Sequence, residues 1–318
     1  MGTEKEKKRV RVFVPTTFEG VTSVAILEEL TKDSDSVELD IHYTGHLDFR
    51  EYQQFTDVDI VLVIGLPYKG YALPTDFYLG VDVPFMDFIH ASTYGEQIEG
   101  ENIVSMVDAE QDPIKQIADF LYKLPDSSLL AKHVEFTEKA WYLIQAVNAY
   151  RTWTWENNNI TRMLLALYQA SHKWMPRLMR GRTLEEIIKQ NAPVIQGQME
   201  KMKDYIETKQ AMTKRYTVVV DGQSCLLKVV FADQYINELA NKLLTEEQTA
   251  LPVIVCVGRP TKSSDMFSIR TTVVNAGKIA YMINEGGGKE AVASVFTDVS
   301  YAELMGNSIV TKLAQGEQ

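Results

Sequence analysis

Two stretches in the last third of the chain carry residue types that suit the binding of an anionic group. Ser268-Ile269-Arg270-Thr271 places an arginine in a strand-like run, and Gly286-Gly287-Gly288-Lys289 forms a glycine turn that ends in a second cation. Glycines let backbone N–H groups approach a phosphate closely, because no side chain stands in the way. A glycine turn also closes helices, so this turn, which follows the Arg270 strand, serves either to face a phosphate or to end a helix. The candidate ligand-binding residues here are Arg270, Gly286, Gly287, Gly288 and Lys289.

A group of cations also stands in the middle of an otherwise acidic chain. The chain has 43 acidic and 32 basic residues and a formal net charge of −11, yet Lys173, Arg177, Arg180 and Arg182 fall close together. Such a cluster serves either as a ligand-binding surface or as the solvated face of a connecting segment. The overall charge opposes tight binding of long nucleic acid, since that affinity comes mainly from cationic contacts to phosphates. A small anionic ligand remains compatible with a local basic cluster.

The first half of the chain alternates strand-like and helix-like patterns, which implies a parallel sheet. The predicted strands are 10–14, 37–43, 58–65 and 81–87. The last two are continuous apolar runs, typical of strands that are buried on both faces. The predicted helices are 20–30, 114–124, 127–149 and 160–170, from apolar residues three or four apart. The first domain is therefore predicted to have a helical second half.

The rest of the chain predicts a connector helix and a smaller α/β domain. Thr183 and Glu186 form a capping-box pair that opens a long helix ending near residue 210. Asp221-Gly222 predicts the turn of a hairpin between strands 216–220 and 225–231. A helix at 234–244, strands at 253–257 and 267–273, and a helix from Ala276 lead to the glycine turn. The predicted division is 1–182 for the first domain, 183–212 for the connector helix and 213–318 for the second domain.

Composition and cysteine usage favour a cytosolic protein. At 318 residues the chain is long enough for two domains with separate cores, and 45% of its residues are hydrophobic. Its longest apolar runs have strand length, well short of the roughly 20 residues that a membrane span needs. The amino terminus has no secretory pattern. Cys225 and Cys256 lie in apolar strand-like runs and are predicted to be buried free thiols.

Four runs in the first domain resemble the motifs of the DHH-type phosphoesterase family, and in particular its nanoRNase B-like members. Pro15-Thr16-Thr17-Phe18-Glu19-Gly20 stands where the family has His-x-Asp-x-Asp-Gly, so Pro15, Thr17 and Glu19 replace its metal ligands. Gly65 stands where the family ends a buried strand with aspartate. Asp87-Phe88-Ile89 stands where it has Asp-His-His. Tyr150-Arg151-Thr152-Trp153 matches Tyr-Asp-Thr-Trp, so Arg151 replaces a fourth ligand.

The resemblance implies the family's fold and its metal-dependent chemistry. The replacements put the metal-dependent chemistry in doubt. Family hydrolases hold two divalent cations, usually manganese, that activate water and neutralise the phosphate under attack. Such ions need oxygen and imidazole ligands that converge at close to 2 Å. Proline, glycine, phenylalanine and isoleucine supply none, and arginine adds a permanent positive charge. No metal cofactor is therefore expected, and Arg151 is expected either to pair with Glu156 or Asp87 or to meet a ligand phosphate.

The second domain resembles the DHH-associated domain more closely. That domain grips the nucleotide end of the substrate through an arginine on a strand and a Gly-Gly-Gly-His turn. Arg270 and the three glycines are retained here, and Lys289 stands in place of the histidine. The resemblance covers nearly the whole chain in the same order, from the catalytic domain through the connector helix to the second domain.

Three functions follow as hypotheses. The leading one is a catalytically inactive homologue that binds or sequesters a nucleotide or short oligonucleotide in the interdomain cleft; sequestration would suit a viral or phage protein that removes a host nucleotide signal. An alternative is a scaffold or inhibitor of a protein partner, since its negative charge suits a basic surface. A second alternative is a residual metal-dependent phosphodiesterase that uses Glu19, Asp87, His90 and Asp48. Some family members dimerise through the first domain, so a homodimer is compatible with each.

Overall fold

A computed structural model shows an α/β chain that divides into two compact units, Met1–Met199 and Glu200–Gln318. The boundary between them falls inside the predicted connector helix. The predicted domain limits themselves remain a prediction. The residues that the structure describes are 7–47, 57–67, 84–90, 97–98, 102–124, 133–246, 249–261, 264–298, 300–301 and 303.

The first unit is built on a five-stranded parallel sheet. Its strands are β1 (Lys8–Val14), β2 (Val37–Tyr43), β3 (Ile60–Ile64), β4 (Phe85–His90) and β5 (Ile103–Asp108). They lie in the order β2-β1-β3-β4-β5, and each neighbouring pair is parallel. The central strands β3 and β4 are buried along their whole length. The predicted parallel sheet is confirmed, and parallel strands direct their carboxyl ends to one common edge.

Helices cover one face of this sheet and supply the helical half of the unit. They are α1 (Phe18–Leu30), α2 (Pro113–Tyr122), α3 (Glu138–Arg151), α4 (Asn159–Ser171) and α5 (Met175–Met179). Their apolar side chains pack with alternate residues of the strands into a first core, which includes Val12, Leu62 and Phe88. The opposite strand residues, such as Phe13, Val63 and Phe85, form a second core on the other face.

A long helix, α6 (Leu184–Met212), runs from the first unit into the second. The predicted capping box is confirmed at its start. The Thr183 hydroxyl accepts from the Glu186 N–H at 3.2 Å, and the Glu186 carboxylate accepts from the Thr183 N–H at 2.8 Å. The helix tolerates Pro193 in its interior.

The second unit holds a six-stranded mixed sheet. Its strands are β6 (Lys214–Val220), β7 (Gln223–Phe231), β8 (Val253–Pro260), β9 (Asp265–Thr271), β10 (Gly287–Gly288) and β11 (Val292–Phe296). They lie in the order β10-β11-β9-β8-β7-β6, and only the β7 and β8 pair is parallel within this described sheet. α7 (Ile236–Thr245) and α8 (Ala276–Asn284) pack on separate cores at its two faces.

The predicted bounds of several elements differ from those in the structure, most of all for one helix. The helix predicted over 127–149 begins at Glu138 with Thr137 as its N-cap, and residues 127–132 lie outside the described residues. Val134 and Phe136 have helical spacing with α3, but they pack on the first core from an extended segment, where the Glu135 N–H donates to the Leu30 carbonyl at 2.8 Å. The strand predicted to end at Asp87 continues to His90.

The burial of the two cysteines agrees with the sequence prediction. Cys225 and Cys256 are buried free thiols, as predicted, and burial raises the pKa of Cys256 to about 12. Within the described part of the chain, no helix combines the length and apolar character needed to cross a membrane.

Candidate functional site

Three charged side chains from separate helices come together at the carboxyl edge of the parallel sheet. Glu19 lies in the first turn of α1, Asp112 is the N-cap of α2, and Arg151 is the last residue of α3. Amino ends of helices favour negative charge and carboxyl ends favour positive charge, because the backbone dipoles add along each helix. Each side chain therefore matches the helix end that carries it. We call Glu19, Asp112 and Arg151 the edge cluster.

Arg151 and Glu19 form an ion pair within the edge cluster. Arg151 Nη1 lies 3.3 Å from Glu19 Oε1, and the two side chains are 23% and 17% exposed. Sequence reasoning offered Glu156, Asp87 or a ligand phosphate as partners of Arg151, and did not consider Glu19. Because a guanidinium stays protonated in proteins, Arg151 places a permanent positive charge at the edge of the sheet.

Asp112 is the buried member of the edge cluster. Its N–H donates to Asn148 Oδ1 at 2.8 Å, and its Oδ1 accepts from the Ile114 N–H at 2.9 Å. Its Oδ2 is buried and has no hydrogen-bond partner among the described residues. Burial, with the nearby charge of Glu19, raises the pKa of Asp112 to about 7, although the Ile114 N–H and the Arg151 charge oppose the shift. The carboxyl group therefore titrates near neutral pH.

Sequence reasoning missed Asp112, although a signal for it was present. The pair Asp112-Pro113 stands directly before a predicted helix. Aspartate is a preferred N-cap residue, and proline is preferred at the first helical position. This pattern predicts a capping aspartate but not its burial beside Glu19 and Arg151, which depends on tertiary packing.

The loop between β1 and α1 holds the first of the predicted metal-site positions. Thr17 is the N-cap of α1, and its hydroxyl accepts from the Gly20 N–H at 3.4 Å. Gly20 is required by close packing, because a Cβ at this position would lie 2.1 Å from the Pro15 carbonyl oxygen. The side chain of Pro15 has no ligating atom. Glu19 is the remaining carboxylate of this loop, and it already pairs with Arg151.

Gly65 lies directly after β3, at the position where the family has an aspartate. Its φ of +62° falls in the left-handed region, which glycine adopts without steric cost. Its N–H donates to the Phe88 carbonyl at 2.8 Å, and a Cβ there would contact Pro113 Cγ at 3.4 Å. The backbone at this position therefore suits glycine better than a metal-binding aspartate.

Asp87, Phe88 and Ile89 lie inside β4, and all three are fully buried. Asp87 alternates with Phe88 and shares a face with Phe85 and Ile89, which belong to the second core. Its Oδ2 accepts from the Ser105 hydroxyl at 3.2 Å on that same face. The helices that carry the edge cluster pack on the opposite face, so the structure does not bring Asp87 to it.

The other potential ligands do not complete a metal site in the described residues. His90 ends β4 and is 8% exposed, and Asp48 lies outside the described residues. No group of three or more His, Cys, Asp or Glu side chains in the described ranges is arranged to hold a metal ion. The donor set of the edge cluster is two carboxylates and an arginine, which does not fit a pair of divalent cations.

The aromatic frame around Arg151 belongs to the first core. Trp155 is 5% exposed and is buried among core residues, and Trp153 is partly buried against them. Phe18 makes edge contacts with Tyr150 and Tyr168, with ring centroids 5.0 Å and 5.8 Å apart. These contacts favour a packing role for both tryptophans over the stacking of a base.

In the second unit, Arg270 lies on the α7 face of the sheet. It is the register partner of Val255, which belongs to the core under α7. Its Nη2 donates to Asn237 Oδ1 at 2.9 Å, in the first turn of α7. Arg270 is also the register partner of Val292 in β11, and β11 pairs with β10, the short strand that Gly287 and Gly288 form where a turn was predicted. The structure thus brings Arg270 and the turn to within one strand of each other.

The glycine turn has different steric demands at its three glycines. A Cβ on Gly286 would lie 2.6 Å from Ser294 O, and one on Gly288 would lie 2.3 Å from Ala293 Cα. The Gly286 N–H donates to the Ala280 carbonyl at 3.1 Å, so this residue also closes α8. A Cβ on Gly287 would meet nothing within 4 Å. Packing within the protein therefore explains Gly286 and Gly288 but leaves Gly287 free to face a ligand, beside the exposed Lys289.

Comparison with known proteins identifies relatives only at the level of structure. No protein-family profile matches the chain, and no curated protein matches it in sequence. An exopolyphosphatase-related protein from Bacteroides fragilis matches over 94% of this chain and 90% of its own, with 11% identity and a TM-score of 0.49. A pGpG-specific phosphodiesterase from Vibrio cholerae matches over 97% and 99%, with 14% identity and a TM-score of 0.46.

A third similar structure is the exonuclease RecJ bound to manganese. It matches over 92% of this chain and 86% of its own, with 14% identity and a TM-score of 0.42. The three similar structures are thus an exopolyphosphatase-related protein, a phosphodiesterase and an exonuclease, and the similarity concerns the fold alone.

Proposed function

We propose that this chain is a catalytically inactive relative of the DHH-type phosphoesterases that binds a nucleotide or short oligonucleotide without cleaving it. The observation that carries the proposal is the ion pair between Arg151 and Glu19, at 3.3 Å. It puts a guanidinium where the family motif has a metal-binding aspartate, and it occupies the one carboxylate left in the first motif.

Electrostatics explains why this pair opposes metal binding. Two like unit charges about 4 Å apart repel by roughly 4 kcal/mol at an effective dielectric constant of about 20, and a divalent cation doubles the repulsion. The Glu19 carboxylate would also have to leave its arginine before it could bind a metal. Loss of a supporting partner alone typically costs about 10 to 100-fold in metal affinity or activity, so replacement of most ligands removes the site.

Binding is proposed for the second unit, where cations and open backbone remain together. Arg270 and Lys289 supply positive charge, and Gly287 leaves space for a phosphate to approach the turn. A protein that holds such a ligand intact would sense it or sequester it. We further propose a cytosolic location, consistent with two buried free thiols.

Equilibrium titration against mononucleotides, cyclic nucleotides, linear dinucleotides and short RNAs tests this function. Arg270→Ala should weaken binding of the best ligand by about 10-fold or more, because charge-assisted hydrogen bonds contribute about 1.5–3 kcal/mol each. Arg259→Ala is the matched control, since Arg259 is an exposed arginine of β8 in the same sheet. Absence of binding to every ligand at high micromolar concentration would rule the function out.

Gly287→Ala gives a second, steric test of the same site. The added Cβ meets nothing within the protein, so the fold and its melting temperature should be unchanged. Binding should still weaken, because the methyl group stands between the turn and a phosphate. Equal affinity of Gly287→Ala and the unaltered protein would exclude the turn from the binding site.

A further inference from the structure

A basic segment of the first unit displays an exposed tryptophan. Residues 157–184 contain no aspartate or glutamate, although the chain has 43 acidic residues, and they include Arg162, Lys173, Arg177, Arg180 and Arg182. Trp174 lies among these cations and is 55% exposed. A large indole left in water at the centre of a cationic segment is a feature that packing does not explain.

The segment is anchored, so the exposure of Trp174 does not come from a loose chain. The side chains of Met175 and Met179, on the adjoining α5, are buried at 0% and 1% exposure in the first core. Pro176 is also buried. Trp174 and Arg177 are exposed beside these anchors, which hold them on the surface in a defined position.

The charges beside Trp174 are available for an anionic ligand. The guanidinium of Arg177 lies over the indole, 5.5 Å from the ring centroid. In the described part of the chain, neither Lys173 nor Arg177 forms a salt bridge. Arg182 donates to the Leu178 carbonyl at 2.7 Å and lies close enough to Glu186 for their charges to interact, whereas Arg180 pairs with Glu28.

We propose that this surface binds a short single-stranded oligonucleotide, with a base stacked on Trp174 and Arg177 and phosphates bound by Lys173, Arg177 and Arg182. Both the indole and the guanidinium plane are stacking surfaces for nucleobases. Cationic side chains beside an aromatic ring are the usual combination in proteins that hold single strands. The surface belongs to the first unit, whereas Arg270 and the glycine turn belong to the second.

The same residues suit an anionic membrane less well. A helix that lies in a membrane interface needs a broad apolar face in addition to its cations. Here the apolar residues Met175, Pro176 and Met179 of the adjoining α5 are buried in the core. They therefore add no exposed apolar surface beside Trp174. One aromatic ring among several cations suits an oligonucleotide, in which each base lies between two charged phosphates.

The test is a fluorescence anisotropy titration of a labelled oligouridylate of about eight nucleotides, a length within the range of known single-strand sites. Trp174→Ala should weaken binding by about 5- to 100-fold, as expected for loss of one stacked base. Trp174→Phe should retain most of the affinity, because an aromatic ring remains. Mononucleotide binding that depends on Arg270 should be unchanged in both variants, which separates this surface from the site in the second unit.

Charge reversal provides the second arm and its control. Arg177→Glu should weaken binding and flatten its salt dependence by about 0.7 in log–log slope for each phosphate that the variant no longer neutralises. Lys203→Glu makes the same reversal of charge on the exposed surface of α6 and should have little effect on binding. The proposal is overturned if Trp174→Ala and Arg177→Glu bind like the unaltered protein. It is also overturned if the protein binds anionic lipid vesicles but no single strand.

Discussion

At the scale of single residues, the edge cluster is held together by charge rather than by metal coordination. Glu19 and Asp112 stand at the amino ends of two helices, and Arg151 stands at the carboxyl end of a third. Each position is favourable for its charge, and Arg151 offsets the repulsion between the two carboxylates. A single positively charged side chain thus stabilises two neighbouring carboxylates.

Asp112→Asn should change how stability depends on pH. Asparagine retains the N-cap hydrogen bond but cannot ionise. The pKa of Asp112 is raised from 3.8 to about 7 in the folded protein, so the folded state binds the proton more tightly than the unfolded state. The stability from this group is therefore full below pH 3.8 and is lost as pH rises to about 7.

Denaturant titrations of both proteins between pH 4 and pH 8 measure this effect. The unfolding free energy of the unaltered protein, relative to that of Asp112→Asn, should fall by an amount of the order of 3 kcal/mol between pH 4 and pH 7 and then level off. A difference that stays constant across this range would show that Asp112 has an ordinary pKa.

Arg151→Asp introduces the aspartate of the family motif but should not create a metal site. The change removes the partner of Glu19 and adds a third carboxylate beside Glu19 and Asp112. The free energy of unfolding should fall by at least about 1 kcal/mol more than in Arg151→Met, which removes the charge without reversing it. Chemical denaturation of the two variants at pH 8 gives the comparison, and equal stability would mean that the three acids are too far apart to interact.

At the scale of elements, α1 must lie directly against the loop that precedes it, and Gly20 permits this. Gly20→Ala should lower the unfolding free energy by about 2 kcal/mol or more, because the Cβ would lie 2.1 Å from backbone atoms of Pro15. Gly197→Ala is the control, since this glycine of α6 has nothing within 4 Å and alanine there should stabilise by about 0.5–1 kcal/mol. Thermal unfolding of both variants distinguishes them, and a neutral Gly20→Ala would contradict the close approach.

The helices and strands were largely predictable from residue spacing, whereas the side-chain contacts between them were not. β2 has the predicted bounds, 37–43, and the Asp221-Gly222 hairpin is confirmed, because alternation and turn residues are local signals. β5 was not predicted as a strand, and its Ser105 bonds to the buried Asp87. The edge cluster was found only in part, because the pairing of Arg151 with Glu19 joins residues 132 positions apart.

At the scale of the whole molecule, the chain consists of two units that resemble the family motifs to different degrees. The first unit holds a parallel sheet, and the residues matched there to metal ligands include Pro15, Gly65 and Arg151, whereas the second unit carries Arg270 and the three glycines. The net charge of −11 does not prevent either unit from binding a small anion, because a local group of cations is sufficient.

The central claim is that this fold holds its ligand without hydrolysing it. The most direct measurement is a single-turnover reaction of excess protein with an end-labelled short RNA and manganese, followed both by retention of the RNA on the protein and by its length. We predict RNA that is bound and intact after many hours. Manganese-dependent shortening of the RNA that disappears in Glu19→Gln would contradict the account, because it would show that the edge cluster still catalyses hydrolysis.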